Sequence, residues 1–423
     1  MDKTEKLIWE QPWRYAEGFY VAIGIALSGF LLQIAIGNLQ LTAFQYPVNA
    51  IIGLIFISAI LLSHFFLRKA AVVRWLSSVY ATVPAIVVLL GIVIILGIIP
   101  QFVPYATKAD IPHNLSGLFG WYQMTTSWTF IFSSYYLLII LGFTILKRTQ
   151  RKFTWQDIGF YLNHLGLFLA FMGGMLGSAD MNRMRMTVSE GQMEWRAQDQ
   201  LQKLVELPIA IQLDTFMIEE YPPKLMLVDL ESGKALPFNN PVAYLYEGEG
   251  KSTQLMDYKI DILSYLPNAA ILRDSINTSA VAYLSEGNTH AIKVRVSNEN
   301  MTDPVVGWVS NGSFMFPHSV VYINKDLAVA MPMQEVKKYT SHVQVFTEGG
   351  ESKAAVIEVN KPLRIANWTI YQLSYDQSKG KFSETSIFEL VRDPWLPFVY
   401  AGIIMLLAGS FYLFIVGPKT KKS

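Results

Sequence analysis

Cysteine is absent from this 423-residue sequence, so it binds no metal through thiolate, and its six histidines are its imidazole candidates for haem iron. Two of them, His64 and His164, lie inside long apolar runs. An ionisable side chain in hydrocarbon is costly enough to mark a functional site by default. Neutral imidazole is a common ligand of haem iron, and an apolar helix interface can enclose the porphyrin while a second histidine completes the axial pair. His64 precedes Arg68 by one helical turn, about 6 Å from the end of its run at a rise of about 1.5 Å per residue. His164 lies about 10 Å inside its own run by the same rise. Similar depth is what a haem-accepting pair requires. Blander readings stand beside this one. His64 can snorkel to the interface and hydrogen-bond lipid or a carbonyl, and His164, preceded by Asn163 and followed by Gly166, can serve helix packing through a hydrogen bond. His113 falls in a loop with Pro112, Trp121 and Tyr122, where it can touch a flat apolar ligand or simply pack on a neighbouring domain. His290, His318 and His342 have no metal-ligand spacing and read as surface or strand residues.

The elements that must position these side chains follow from hydropathy. The chain is 52% hydrophobic and 16% charged, too apolar for an ordinary soluble enzyme. Runs long enough to cross a bilayer, about 20 residues each, fall at Tyr15 to Ile36, Tyr46 to Leu67, Trp75 to Ile99, Ser127 to Leu146, Ile158 to Gly177 and Leu396 to Val416. Cationic loops translocate poorly. Lys3, Lys6 and Arg14, then Arg68, Lys69 and Arg74, then Lys147, Arg148, Arg151 and Lys152, and finally Lys419, Lys421 and Lys422 therefore mark the cytoplasmic side. The first loop has no charge and the third, Gln101 to Thr126, has Lys108 as its only lysine or arginine, so both lie outside. Long domains cross largely regardless of charge, which puts the polar stretch Ala179 to Asp393 outside as well. The first run has a mixed polar start and no small-residue cleavage site, and reads as a retained helix.

The expected fold is a membrane protein: an α-helical bundle of six transmembrane helices with a large extracytoplasmic β-rich domain inserted between helices 5 and 6. Its divisions are 1–74, an N-terminal extension with two transmembrane helices; 75–178, helices 3 to 5; 179–393, the β-rich domain; and 394–423, helix 6 and a cytoplasmic tail. Within 179–393 an alternation of apolar and polar residues predicts strands at Ala210 to Ile218, Lys259 to Ser264, Ala291 to Val296, Val320 to Asn324, His342 to Phe346 and Trp368 to Leu373. Turn signals such as Glu231-Ser-Gly, Glu286-Gly-Asn and Gly349-Gly separate them, and two packed layers are expected.

Several function classes drop out. A net charge of +1 gives no basic face for nucleic acid. Without cysteine the chain forms no disulfide, performs no thiol exchange and carries no covalent c-type haem. P-loop, dinucleotide, nucleophile-elbow and H-E-x-x-H motifs are missing from the sequence.

From the third run onward the chain resembles the ResB (CcsB) family of cytochrome c biogenesis proteins. The likeness rests on ordered features: Gly97-Ile-Ile-Pro-Gln101 closing a helix, Ser127-Trp128 leading the next and Lys147-Arg148 ending it. Asn163-His164-Leu-Gly-Leu167 follows, with Gly173-Gly174, Gly177 and Val188-Ser-Glu-Gly191. The strand from Lys361-Pro-Leu-Arg to Tyr375 and the closing Asp393-Pro-Trp with Gly402 and Gly409 complete it. The resemblance implies a subunit of a system II (Ccs) cytochrome c synthase. Such a subunit works with a CcsA-type haem-handling membrane protein to carry haem across the inner (cytoplasmic) membrane for thioether attachment to apocytochrome c. The two helices before the family core look like the extension of longer members, in which a histidine of the second extension helix is an axial ligand to haem b. His64 matches that place, with the second ligand expected from the partner. His164 matches a family motif without an assignable ligand role. The tryptophan-rich haem motif of CcsA is missing, so the chain is expected to be a non-catalytic half of the haem lyase complex. A b-type haem electron-transfer membrane subunit, with His64 and His164 on one iron, is the rival reading; a purely structural receptor with incidental histidines is another.

Overall fold

The computed structural model describes residues 9–102, 111–274 and 277–416. Lys3, Lys6, Lys108, Lys419, Lys421 and Lys422, on which part of the orientation argument rests, lie outside them. Among the described residues there are eight α-helices: α1 (Tyr15–Ile36), α2 (Val48–Leu67), α3 (Ala71–Leu76), α4 (Val79–Ile98), α5 (Leu115–Leu118), α6 (Trp128–Arg148), α7 (Trp155–Gly177) and α8 (Leu396–Val416). All but α3 and α5 are long and apolar enough to cross a membrane, with mean hydropathy from 1.3 in α7 to 2.8 in α4. The protein is thus a multi-pass membrane protein by the length and composition of its helices.

The expected span Trp75 to Ile99 is present as one span, α4, which begins at Val79. Ser77 and Ser78 turn their hydroxyls back on the carbonyls of Arg74 and Trp75, at 3.0 and 2.6 Å. Those local bonds compete with the helical ladder, so α3 stops and α4 starts afresh. Because α3 and α5 are too short for hydropathy to register, the β-rich segment follows the seventh helix of the chain and precedes the eighth, where composition placed it between the fifth and sixth.

The helices divide between one unit, Met1–Arg183, Gln198–Lys203 and Val391–Ser423, and the strands a second, Met184–Ala197 and Leu204–Leu390. In the helical unit α7 and α8 pack through small residues. A Cβ on Gly402 would meet the Gly166 carbonyl at 2.5 Å and one on Gly409 would meet Leu162 Cβ at 2.8 Å, so the backbones approach as closely as glycine permits. A carboxylate closes the far end of this unit. Asp180 accepts from the Tyr46 backbone N–H at 2.7 Å, from Asn49 Nδ2 at 2.7 Å and from Trp395 Nε1 at 2.6 Å, tying the starts of α2 and α8 to the end of α7.

The β-rich unit contains β1 (Asn182–Ser189), β2 (Met193–Gln198), β3 (Leu204–Glu220), β4 (Lys224–Asp229), β5 (Ala243–Leu245), β6 (Ser252–Leu255), β7 (Tyr258–Arg273), β8 (Thr278–Ala282) and β9 (Thr289–Ser297). It continues with β10 (Val305–Ser310), β11 (Val321–Tyr322), β12 (Leu327–Ala330), β13 (Val336–Thr347), β14 (Ser352–Glu358), β15 (Leu363–Ile365), β16 (Trp368–Tyr375) and β17 (Thr385–Arg392). One sheet has eight strands in the order β14-β13-β3-β2-β1-β17-β16-β15; a second runs β10-β9-β7-β6 with β8 on β7; a third runs β11-β12-β4-β5. Each of the six predicted strands falls on an observed one, although Val320 to Asn324 shrinks to the two residues of β11. Alternation worked there because the strands are half-buried: along β3 the inward side chains Ile209, Ile211 and Leu213 are fully buried, while Ala210, Gln212 and Asp214 between and after them are partly or fully exposed. That core also takes Met186, Val345, Phe388 and Trp368. The second and third sheets share another core, with Leu225, Ile260, Ile292, Val294 and Val329 at its centre.

Candidate functional site

α2 and α7 run antiparallel, and their register can be followed contact by contact. Near one end Asn49 donates to the Leu176 carbonyl at 3.0 Å. A turn further along α2, a Cβ on Gly53 would meet Leu176 Cδ1 at 2.7 Å and Met172 Cε at 3.3 Å. Two turns on, Ile60 packs with Phe168, and both border Gly142 of α6. Four more residues along α2 reach His64, and four back along α7 reach His164. The two histidines therefore occupy the same level of an antiparallel pair, close to the end that carries Arg68 and Arg148.

Their side chains are engaged separately. His164 donates Nδ1–H to the Phe160 carbonyl one turn earlier, at 2.9 Å. Its ring stacks on the Phe160 ring with centroids 3.9 Å apart. The Arg148 guanidinium sits 5.1 Å from the same Phe160 ring and is ion-paired to Asp157, which also caps α7 by accepting from the Thr154 backbone and hydroxyl. Because Nδ1 carries the proton, the lone pair of His164 is on Nε2. For His64 the contact is with Gln150, whose amide nitrogen lies 3.1 Å from His64 Nε2. An amide nitrogen can only donate, so Nε2 is the accepting atom here too. Both imidazoles thus keep the nitrogen that haem iron would bind unprotonated. A ring N–H held by a carbonyl is the usual way a protein fixes a ligating histidine, and His164 has that arrangement. His64 has its Nε2 occupied by the exposed amide of Gln150, which an iron atom would have to displace.

An interhelix hydrogen bond is made by the neighbour of His164, Asn163. Asn163 accepts from Ser410 of α8 at 3.1 Å and donates to the Gly159 carbonyl at 3.0 Å. His113 is exposed and borders a cavity of about 1060 Å³ lined by the end of α1, including Gln33 and Asn38, and by Pro112 and Leu118. It is not brought together with His64 or His164. A second cavity of about 730 Å³ lies between α2, α6 and α7, lined by Phe56, Trp128, Phe132, Tyr135 and Phe171. It is the apolar and aromatic kind of space that suits a flat ligand.

His290 is more than the strand residue its sequence position indicates. It accepts at Nδ1 from Tyr265 at 2.7 Å and meets Glu220 through Nε2 at 3.3 Å. Sequence could not have paired these residues, which come from β7, β9 and β3. His318 and His342 enter no comparable cluster among the described residues; His342 stands in β13 opposite Thr215 and Val356.

No curated protein matches the chain. The model of the ResB-like family matches residues 151–262 and 318–387, a span that takes in α7 with His164, most of the eight-stranded sheet and the strand through Tyr375. The chain belongs to the ResB-like family, which is linked to cytochrome c biogenesis.

Proposed function

We propose that this chain is the haem-conveying half of a system II cytochrome c synthase, acting with a CcsA-type partner in the cytoplasmic membrane and presenting haem b to apocytochrome c. The observation that carries the reading is His64, an imidazole near the Arg68 end of an apolar helix whose accepting Nε2 is unprotonated, in a chain of the ResB-like family. In this reading haem is cargo. It supplies the vinyl groups that become thioethers on the apocytochrome; the chain's own residues bind and orient it. His64 is an axial ligand once Gln150 swings away, with the second ligand from the partner. The Arg148–Phe160 stack holds the plane of His164, and the aromatic space between α2, α6 and α7 excludes water along the path. Positive charge at Arg68, Lys69, Arg74, Lys147, Arg148, Arg151 and Lys152 supports a histidine level near the cytoplasm, with the β-rich domain, the helices' large insert, outside. There it meets the partner and the apocytochrome, and His113 lies on the outer side.

A second reading draws on the same register: His64 and His164 on one iron, in a b-type electron-transfer subunit. Absorption spectra of the purified chain, alone and with its partner, for wild type, His64→Ala and His164→Ala separate the two. Reduced bis-histidine bands that require partner and His64 but survive His164→Ala support the conduit. Bands in the chain alone, lost in both variants, support the intrachain haem. Absence of haem from every preparation sinks both.

A further inference from the structure

The β-rich unit has two lobes, the eight-stranded sheet with its core and the other two sheets with theirs. The chain leaves the first lobe between β3 and β4 and returns between β12 and β13. The two crossings are bonded to each other: the Tyr221 N–H donates to the Glu335 carbonyl at 2.9 Å, and Lys224 pairs with the Glu335 carboxylate at 2.6 Å. Beside them lies a cleft of about 550 Å³. Glu220, Tyr375 and the loop Gln377–Phe382 wall it from the first lobe; residues 288–290 and 311–314 wall it from the second.

The Tyr265–His290–Glu220 chain spans the two lobes and satisfies the one carboxylate in the cleft. One buried polar atom is not satisfied, and one ammonium lacks an ion pair. Asn288 is 6% exposed, and its Oδ1 has no hydrogen-bond partner, although its amide donates to the Ser285 carbonyl at 3.0 Å. Lys381 is half-buried and forms no ion pair among the described residues; its ammonium lies 5.3 Å from the Phe382 ring. Burial holds that ammonium below the usual lysine value, with Glu220 pulling the other way. Across the mouth Phe314 meets Phe382 edge-on at 6.2 Å, and Met333 is 83% exposed.

A buried carbonyl oxygen without a donor asks for an N–H. A half-buried ammonium without an ion pair can take a carboxylate. A rim of methionine and phenylalanine asks for apolar side chains and adapts to their shape. An acidic stretch of polypeptide in extended form offers all three at once, whereas a small dicarboxylate offers one. We propose that this cleft binds an extended acidic polypeptide segment, with a main-chain N–H given to Asn288 Oδ1 and a carboxylate to Lys381. The site uses none of His64, His164 and His113, and it stands whether or not the chain carries haem. Its second wall falls in residues 263–317, between the two segments matched by the family model.

The test uses the full chain in detergent and a short fluorescein-labelled peptide of alternating valine and glutamate, read by anisotropy. Wild type is expected to bind it, and to bind the glutamine counterpart about tenfold more weakly, the loss of one good charged contact. Lys381→Met should weaken binding by a similar factor while Lys381→Arg retains it. Lys353→Met, the same charge change on β14, should leave it unchanged. Asn288→Leu and the exposed rim variant Phe314→Ala should weaken it too, and circular dichroism verifies that each variant is folded. Equal binding of the glutamine peptide, equal effects of the two Lys→Met changes, or full displacement by succinate at the peptide's own concentration overturns the proposal, as does failure of wild type to bind.

Discussion

His164 donates Nδ1–H to the carbonyl of Phe160 at 2.9 Å and lies against that residue's ring at 3.9 Å, so one residue sets both the tautomer and the plane of the imidazole. The backbone bond survives any substitution at Phe160, but the stack does not. If His164 contacts haem, Phe160→Ala should reduce haem retained by the purified complex by about tenfold, the usual scale for losing a supporting contact to a ligating histidine, while Phe160→Trp retains most of it. Pyridine haemochrome content measures this directly. Unchanged content in both variants would mean that the ring orientation is structural and that His164 does not touch haem.

Asp180, at the end of α7, gathers three donors from the starts of two other helices, α2 and α8. Removing its carboxylate leaves a backbone N–H, an amide and an indole without their acceptor at once. Asp180→Ala should therefore destabilise the helical unit by about 2–4 kcal/mol, more than one hydrogen bond to a charged group and less than three added independently. Asp180→Asn keeps one acceptor oxygen and should lose less. Thermal unfolding in detergent, followed by the fluorescence of Trp395 and its neighbours, ranks the three proteins; equal stability of wild type and Asp180→Ala would refute the clamp.

Much of this architecture was legible because its causes are local. The uninterrupted apolar runs of α1, α2 and α8 and the alternation along β3 are properties of neighbouring residues, and hydropathy or period alone finds them. The start of α4 at Val79, apart from α3, was not legible, since two serine hydroxyls bonding backward break the helix without lowering its hydropathy much. His64 and His164 were visible as polar residues in apolar runs. Their partners were not visible: His64 meets Gln150 from another helix end, and Asn163, beside His164, reaches Ser410 across more than two hundred residues of intervening chain. His290 was passed over for the same reason. Its partners Tyr265 and Glu220 are assembled by sheet topology, and no spacing in the sequence announces them.

Inside the eight-stranded sheet a polar cluster tests how far satisfied hydrogen bonds support a core. Ser341 donates to Gln372 Oε1 at 2.6 Å, Gln372 Nε2 donates to Ser386 at 2.7 Å, and the two serine hydroxyls lie 2.9 Å apart. All three residues are buried. Ser341→Ala strands the Gln372 oxygen and should cost about 1–3 kcal/mol. Ser341→Ala with Gln372→Leu removes both partners and should cost less than the sum of the single changes. A double-mutant cycle on urea midpoints reads the coupling; strict additivity would show that the cluster does not act as a unit.

Glu194 supplies the clearest dependence on pH. Hydrogen bonds from the Arg196 side chain, then backbone N–H groups of Arg196 and Trp195, outweigh a small burial cost and bring its carboxyl down to about 2. The guanidinium meets the carboxylate at 2.8 Å through Nε and 2.9 Å through Nη2. A carboxyl whose folded value is depressed stabilises the fold above its ordinary range, and that contribution disappears as pH falls from there through about 2. Both side chains face solvent, so screening keeps the effect small. Glu194→Gln should lower the melting temperature at pH 7 by on the order of 1 °C, and the gap to wild type should close as the pH is lowered toward about 2. High salt should narrow the gap at pH 7 as well, because an exposed pair is screened. A gap that persists undiminished at low pH would assign the effect to the lost backbone cap in Glu194→Gln and not to the charge.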